Sequence, residues 1–292
     1  MSQSVPAATA CKYIQADGVR VFYREAGAAD SPVMLLLHGY PSSSHQYRHL
    51  IPLLAEHYRV IAPDLPGFGF TEVPAERNYQ YSFDNLALTL GAFVEALGLT
   101  RYALYVFDYG APTGLRLALA QPQRVSGLVS QNGNAYLEGL GDAWDPIRRY
   151  WAEPTQANRQ VIHDAVLNLE GTRWQYLEGV SDPRAVEPEG YYLDALLMER
   201  PGNKEIQADL FLDYQNNLKL YPAFQQFFRD TRLPTLVIWG KHDPFFIPPG
   251  AEAYAGDNPQ AVVELLETGH FALETHVGYI AQRIREVLGD LN

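Results

Sequence analysis

Apolar residues fall into two alternating patterns along this chain. Val33-Met-Leu-Leu-Leu37, Arg59-Val-Ile-Ala-Pro63, Tyr102-Ala-Leu-Tyr-Val-Phe107, Val125-Ser-Gly-Leu-Val-Ser-Gln131, Thr235-Leu-Val-Ile-Trp-Gly240 and Ala261-Val-Val-Glu-Leu-Leu266 are short, mostly apolar and β-prone. Such runs suit strands covered on both faces. Between them the apolar positions follow helical spacing: Tyr47, Leu50, Ile51 and Leu54 after Ser42-Ser43-Ser44; Leu86, Leu90 and Phe93 after Ser82 and before Gly98; Leu115, Ala118 and Leu119 after Gly110; and Tyr279, Ile280, Ile284 and Val287 near the end. Strand followed by helix, repeated, predicts a parallel sheet with helices on both faces. Ahead of this, Lys12–Ala16 and Val19–Glu25 flank Asp17-Gly18, a pair that favours a tight turn, and predict a β-hairpin.

The rhythm breaks between about Asn132 and Asp230. That stretch is rich in aromatic residues at helical spacing and contains no convincing buried strand; the strand–helix pattern then resumes. The pattern predicts an α/β core from residues 1–132 and 231–292, with 133–230 inserted as a helical cap.

At 292 residues, with 47% hydrophobic and 19% charged positions, the chain has the composition of a soluble globular enzyme with a sizeable core. A net charge of −12 without a Lys/Arg cluster argues against nucleic acid or an anionic membrane as partner. Cys11 is the single cysteine, so neither an intramolecular disulfide nor a multi-cysteine metal site can form. The first ten residues have no basic segment followed by an apolar one, and no window reaches the roughly 18 apolar residues of a membrane span. A cytoplasmic protein, monomeric or homodimeric, is the expectation.

The candidate chemistry lies where the strands end. The run Tyr102–Phe107 drives into Asp108, and Gly110 and Gly114 follow as a helix begins: a strand, a sharp turn and a helix with a carboxylate at the turn. Alone, Asp108 reads equally well as a helix cap, Asp243 as a turn starter and His270 as a loop histidine. All three follow core strands, and the carboxyl ends of parallel strands line one crevice. Their order of nucleophile, acid and histidine is that of a catalytic triad.

With His38-Gly-Tyr-Pro41, Asp64-Leu-Pro-Gly-Phe-Gly69, Asp108-Tyr-Gly110, Gly240-Lys-His-Asp243 and Gly269-His270, the chain from Val33 onward resembles the α/β-hydrolase superfamily. Within it, the aspartate at the turn resembles the epoxide hydrolase and haloalkane dehalogenase branch. Val106 departs from the resemblance, standing where the turn has a small residue. The resemblance implies an eight-stranded, mostly parallel sheet and an inserted cap. It also implies a covalent mechanism without a cofactor or metal. Asp108 attacks carbon to form an alkyl-enzyme ester, and His270, oriented by Asp243, activates the water that hydrolyses it. Backbone N–H groups of Tyr40 and Tyr109 receive the oxyanion.

Haloalkane dehalogenases of this kind carry Trp after the nucleophile and often Asn in the third place of His-Gly-x-Pro. Fluoroacetate dehalogenases carry Arg after the nucleophile and again three residues on. This chain has Tyr109, Tyr40 and Pro112 there. An epoxide oxygen instead needs a proton as the ring opens, which cap tyrosines supply; Tyr214 resembles one such donor in position, and Tyr150 is the candidate for a second. With 19 tyrosines in the chain, packing is the competing role for any one of them. His38, Phe107 and Trp151 are expected to line the substrate pocket. The reading is hydrolysis of a small apolar epoxide to a diol. A haloalkane or haloacid dehalogenase is the alternative, and an ester hydrolase or ligand-binding protein on the same scaffold comes after it. Asn132 and Asn134 follow a core strand where some relatives put the triad acid, a role an amide cannot take.

Overall fold

The structure is a computed structural model describing residues 8–289; residues 1–7, on which most of the N-terminal reading rests, lie outside them. Strands β1 (Ala10–Ala16) and β2 (Val19–Ala26) form the hairpin, with Asp17 and Gly18 both at positive φ, +54° and +71°. These angles match the right-handed twist of the paired strands. β3 (Val33–Leu37), β4 (Arg59–Pro63), β5 (Tyr102–Phe107), β6 (Val125–Gln131), β7 (Thr235–Gly240) and β8 (Val262–Leu266) complete one eight-stranded sheet. Its order is β1-β2-β4-β3-β5-β6-β7-β8; β2 pairs antiparallel with both neighbours, and β3 to β8 run parallel. This is the α/β-hydrolase architecture that the resemblance implied.

Side chains alternate across the sheet and build two cores. Met34, Leu36, Tyr105 and Ile238 face one layer, where α1 (Leu50–Leu54) packs. Leu35, Leu37, Leu104 and Val106 face the other, against α2 (Phe83–Ala96) and α3 (Gly110–Ala120). The Ser82 hydroxyl accepts a hydrogen bond from the Asn85 N–H at the start of α2, the cap that the sequence predicted. The helix expected after Ser42–Ser44 is instead split into a 3-10 turn, Ser44–Tyr47, and the short α1. Pro52, which lacks an N–H, fits only in a first helical turn, so a new helix has to begin just before it.

Between β6 and β7 the described residues form no strand. They run through α4 (Asp145–Ala152), α5 (Gln156–Val166), α6 (Leu169–Leu177), α7 (Pro188–Met198), α8 (Asn203–Asp213), α9 (Gln215–Leu218) and α10 (Tyr221–Thr231). This segment is tied to the loops after the core strands: Tyr40 donates to the Val166 carbonyl, Gln207 to the Gly67 carbonyl, and the Phe83 N–H to Asp213. After β7 come α11 (Pro248–Glu252) and α12 (Tyr254–Asp257). α13 (Leu273–Leu288) follows β8 and closes the first layer with Ile280, Ala281 and Ile284. No helix among the described residues is long and apolar enough to cross a membrane.

Candidate active site

β5 is buried along its whole length and delivers Asp108 at its carboxyl end with φ of +46°, a left-handed conformation unusual for a residue with a side chain. Two glycines make room for the turn. A Cβ on Gly110 would fall on the Leu37 carbonyl, and one on Gly39 would fall on the Asp108 carboxylate. Val106 is accommodated by glycines too: added Cβ atoms on Gly114 and Gly133 would lie 3.0 and 3.1 Å from its methyl groups.

Asp108 is 6% exposed, and its carboxylate accepts the Tyr40 N–H at 2.5 Å and the Tyr109 N–H. Burial pushes it up to about 7, against the pull of His270 and the two N–H groups. The same peptide groups would face an oxyanion formed on Asp108.

His270 sits after β8 with Nδ1 2.6 Å from Asp243 Oδ2; both side chains are buried. With a carboxylate as acceptor, Nδ1 carries the proton and Nε2 is left to bind another. Burial alone would lower His270, but Asp243 and Asp108 outweigh it and the net direction is upward. Phe107, with its ring centroid 4.6 Å from that of the imidazole, and Phe246, at 5.9 Å, hold the ring in place. Phe107 is therefore a wall beside the histidine. Asp243 is hydrogen-bonded to His270, and Asp108 lies close enough for its charge and that of His270 to bias each other.

Asp243 has further partners that the sequence reading missed. Its Oδ1 accepts the Phe245 N–H at 2.8 Å, and its Oδ2 accepts Asn132 Nδ2 at 2.7 Å. Asn132, at φ +46°, is itself held by the Gly240 N–H at 2.9 Å. Its position at the end of β6 was the available signal: an amide there cannot be the acid but can hold it.

Two expected site residues have polar atoms engaged away from Asp108. The His38 Nε2 accepts the Leu65 N–H at 2.9 Å and its Nδ1 faces the Gly39 carbonyl at 3.1 Å. Full burial lowers its pKa and keeps it neutral, so it ties two loops together. Tyr150 is buried, but its hydroxyl accepts from Arg159 at 2.9 Å, and Arg159 is paired with Glu205 and Asp209. A guanidinium carries five donors and draws any nearby acceptor, so this hydroxyl is directed to the ion-pair cluster.

Tyr214 is fully buried, with its ring centroid 5.8 Å from that of Tyr109 and 4.4 Å from that of Trp144. Burial, reinforced by Asp108 among other groups, raises its hydroxyl well above 10, so it stays protonated. Trp151 lies parallel to it at 6.2 Å. The hydroxyl of Tyr221, which sequence reasoning passed over, is 3.4 Å from that of Tyr214, and it too feels the charge of Asp108. The Tyr109 hydroxyl is buried without a partner. No three His, Cys, Asp or Glu among the described residues gather to hold a metal.

Residues 32–277 match the family model for the alpha/beta hydrolase fold. The chain belongs to that family. This α/β-hydrolase is 51% identical over 272 residues to a Saccharomyces cerevisiae protein named uncharacterized hydrolase YNR064C, covering 92% of this chain and 93% of the relative. It is 29% identical over 297 residues to haloalkane dehalogenase 2 of Mycobacterium tuberculosis, covering 92% of each chain. Among solved structures it resembles haloalkane dehalogenase DbeA from Bradyrhizobium elkani, with TM-score 0.77 and 22% identity over 97% of this chain and 99% of that one. At that identity the likeness shows the shared fold alone.

Proposed function

We propose that Asp108 attacks a carbon of a small or medium apolar epoxide and that residues 133–230 act as a cap over the reaction. The carboxylate oxygen forms the new bond, the ring C–O bond breaks, and Tyr214 protonates the departing ring oxygen. His270 then takes a proton from water attacking the ester carbonyl, while the Tyr40 and Tyr109 N–H groups hold the oxyanion and Asp243 steadies the imidazole. The diol leaves and Asp108 is restored, with no cofactor.

The observation carrying this reading is the state of the donors beside Tyr214. The indole N–H groups that could hold a departing halide are engaged, Trp144 Nε1 by the Phe245 carbonyl at 3.1 Å and Trp151 Nε1 by the Phe211 carbonyl at 2.7 Å. Tyr214 has a hydroxyl suited to an oxygen leaving group. Dehalogenation is the second reading, favoured by the 29% identity to haloalkane dehalogenase 2.

Mass spectrometry of His270→Gln incubated with matched epoxides and haloalkanes separates the two. An adduct on Asp108 of the whole epoxide mass supports epoxide hydrolysis, and an alkyl adduct from the haloalkane alone transfers the assignment to the second reading. No adduct from either class removes both.

A further inference from the structure

The Tyr214 hydroxyl has one hydrogen-bond partner among the described residues, Tyr221. Tyr221 has two, because Asn134 Nδ2 approaches its oxygen at 3.3 Å. The Asn134 amide can stand only one way round. Its Nδ2 faces the Tyr136 carbonyl at 2.8 Å and its Oδ1 the Tyr136 N–H at 3.3 Å, so a flip would set acceptor on acceptor and donor on donor. Asn134 is therefore the donor to Tyr221. Either hydroxyl can donate across the Tyr214–Tyr221 contact, and when Tyr221 is the donor the Tyr214 proton is left for another acceptor. All three side chains are fully buried or nearly so.

We propose that Asn134, Tyr221 and Tyr214 form a directed hydrogen-bond chain that aims the Tyr214 proton at the ring oxygen and holds the phenolate left behind. The proposal rests on the ring-opening reading above. Tyr214 is the catalytic residue; Tyr221 and Asn134 are positioning residues acting through it. When Asp108 bonds to carbon, the electron pair of the broken C–O bond goes to the ring oxygen, which takes the Tyr214 proton. The resulting phenolate lies where burial and the Asp108 charge have kept the hydroxyl protonated, so it requires a donor, and the Tyr221 O–H is on that atom. The distances of 3.3 and 3.4 Å are long for neutral groups, and contacts of this kind shorten as charge develops. Hydrolysis of the ester yields the diol, the Asp108 carboxylate and one proton, which returns to Tyr214. The overall reaction adds one water to one epoxide.

The test is a double-variant cycle of Tyr221→Phe and Tyr214→Phe, each keeping its ring, with styrene oxide as probe. Two steps are timed separately by quenched-flow mass spectrometry: appearance of the Asp108 adduct and its decay. The expected result is that Tyr221→Phe slows adduct formation roughly 10- to 100-fold, as befits loss of a hydrogen bond to a charged group, and leaves decay within about twofold. Added to Tyr214→Phe, it should change adduct formation little further. Equal slowing of both steps would assign Tyr221 a merely structural role. A full additional loss in the double variant would put Tyr221 in direct contact with substrate, and an unchanged rate in Tyr221→Phe would leave it without a role; each overturns the chain. A wild type that forms no adduct with any epoxide overturns the ring-opening reading and the chain with it. Adduct formation by the wild type with an unaffected Tyr221→Phe overturns the chain alone.

Discussion

Asp108 is buried in an environment that resists its charge, so removing the charge should stabilise the fold. The perturbation is Asp108→Asn. Asparagine keeps an oxygen to accept the Tyr40 N–H and tolerates the positive φ of +46°. The folded carboxyl is raised to about 7 from an ordinary 3.8, and at 1.36 kcal/mol per unit this difference amounts to about 4 kcal/mol. The sign follows from proton binding. Between 3.8 and 7 the unfolded chain has released its proton while the folded chain retains it, so wild-type stability falls as pH rises through that window and levels off above it. The variant has no proton to lose at this position, and its advantage should grow from about 2 kcal/mol at pH 5 to about 4 kcal/mol above pH 7. Urea unfolding of both proteins at pH 5, 6, 7 and 8.5 measures the gap directly. A gap that stays flat over this range, or a variant less stable than wild type at pH 8.5, would refute the assignment of Asp108 as a carboxylate strained by its site.

Asn132→Ala should slow decay of the Asp108 adduct about tenfold and leave its formation within about twofold, because Asn132 bonds to Asp243 and acts through His270; it should also cost about 1–3 kcal/mol of stability by unpairing the Gly240 N–H. Equal loss in both steps, timed as for the tyrosine variants, would contradict this. Tyr150→Phe should leave both steps unchanged and lower the melting temperature slightly through loss of the Arg159 contact, and a selective loss of adduct formation would return Tyr150 to the site.

What could be read from the chain followed how locally each signal is encoded. The hairpin turn at Asp17-Gly18 and the turn at Asp108 were visible because backbone strain leaves small residues close by in sequence. The buried strands were visible because a sheet covered on both faces excludes polar residues over whole runs. The three charged residues of the site could be brought together because parallel strands end on one side. By contrast, the break in the helix after Ser44 turned on one proline, and periodicity alone gives it no weight.

The partners of His38, Tyr150, Asn132 and Tyr221 were not legible in the sequence for one reason. Residue type and spacing place a side chain near a site but do not say which partner claims its polar atoms. His38 is claimed by the main chain on both nitrogens, and Tyr150 by an arginine from the next helix. Asn132 looked like a failed acid when considered alone and becomes a donor once Asp243 lies 2.7 Å away. Among many tyrosines in an aromatic cap, hydrophobic burial does not distinguish a reactive hydroxyl from a packed one, since Tyr150, Tyr214 and Tyr221 are all buried. The distinction lies in hydrogen-bond accounting. The Tyr150 oxygen accepts from an ion-pair cluster, the Tyr221 oxygen accepts from Asn134, and the Tyr214 hydroxyl meets only that of Tyr221, in a contact that either can donate. A buried hydroxyl is costly when its proton finds no acceptor, so the proposed role of Tyr214 turns on which of the two tyrosines donates.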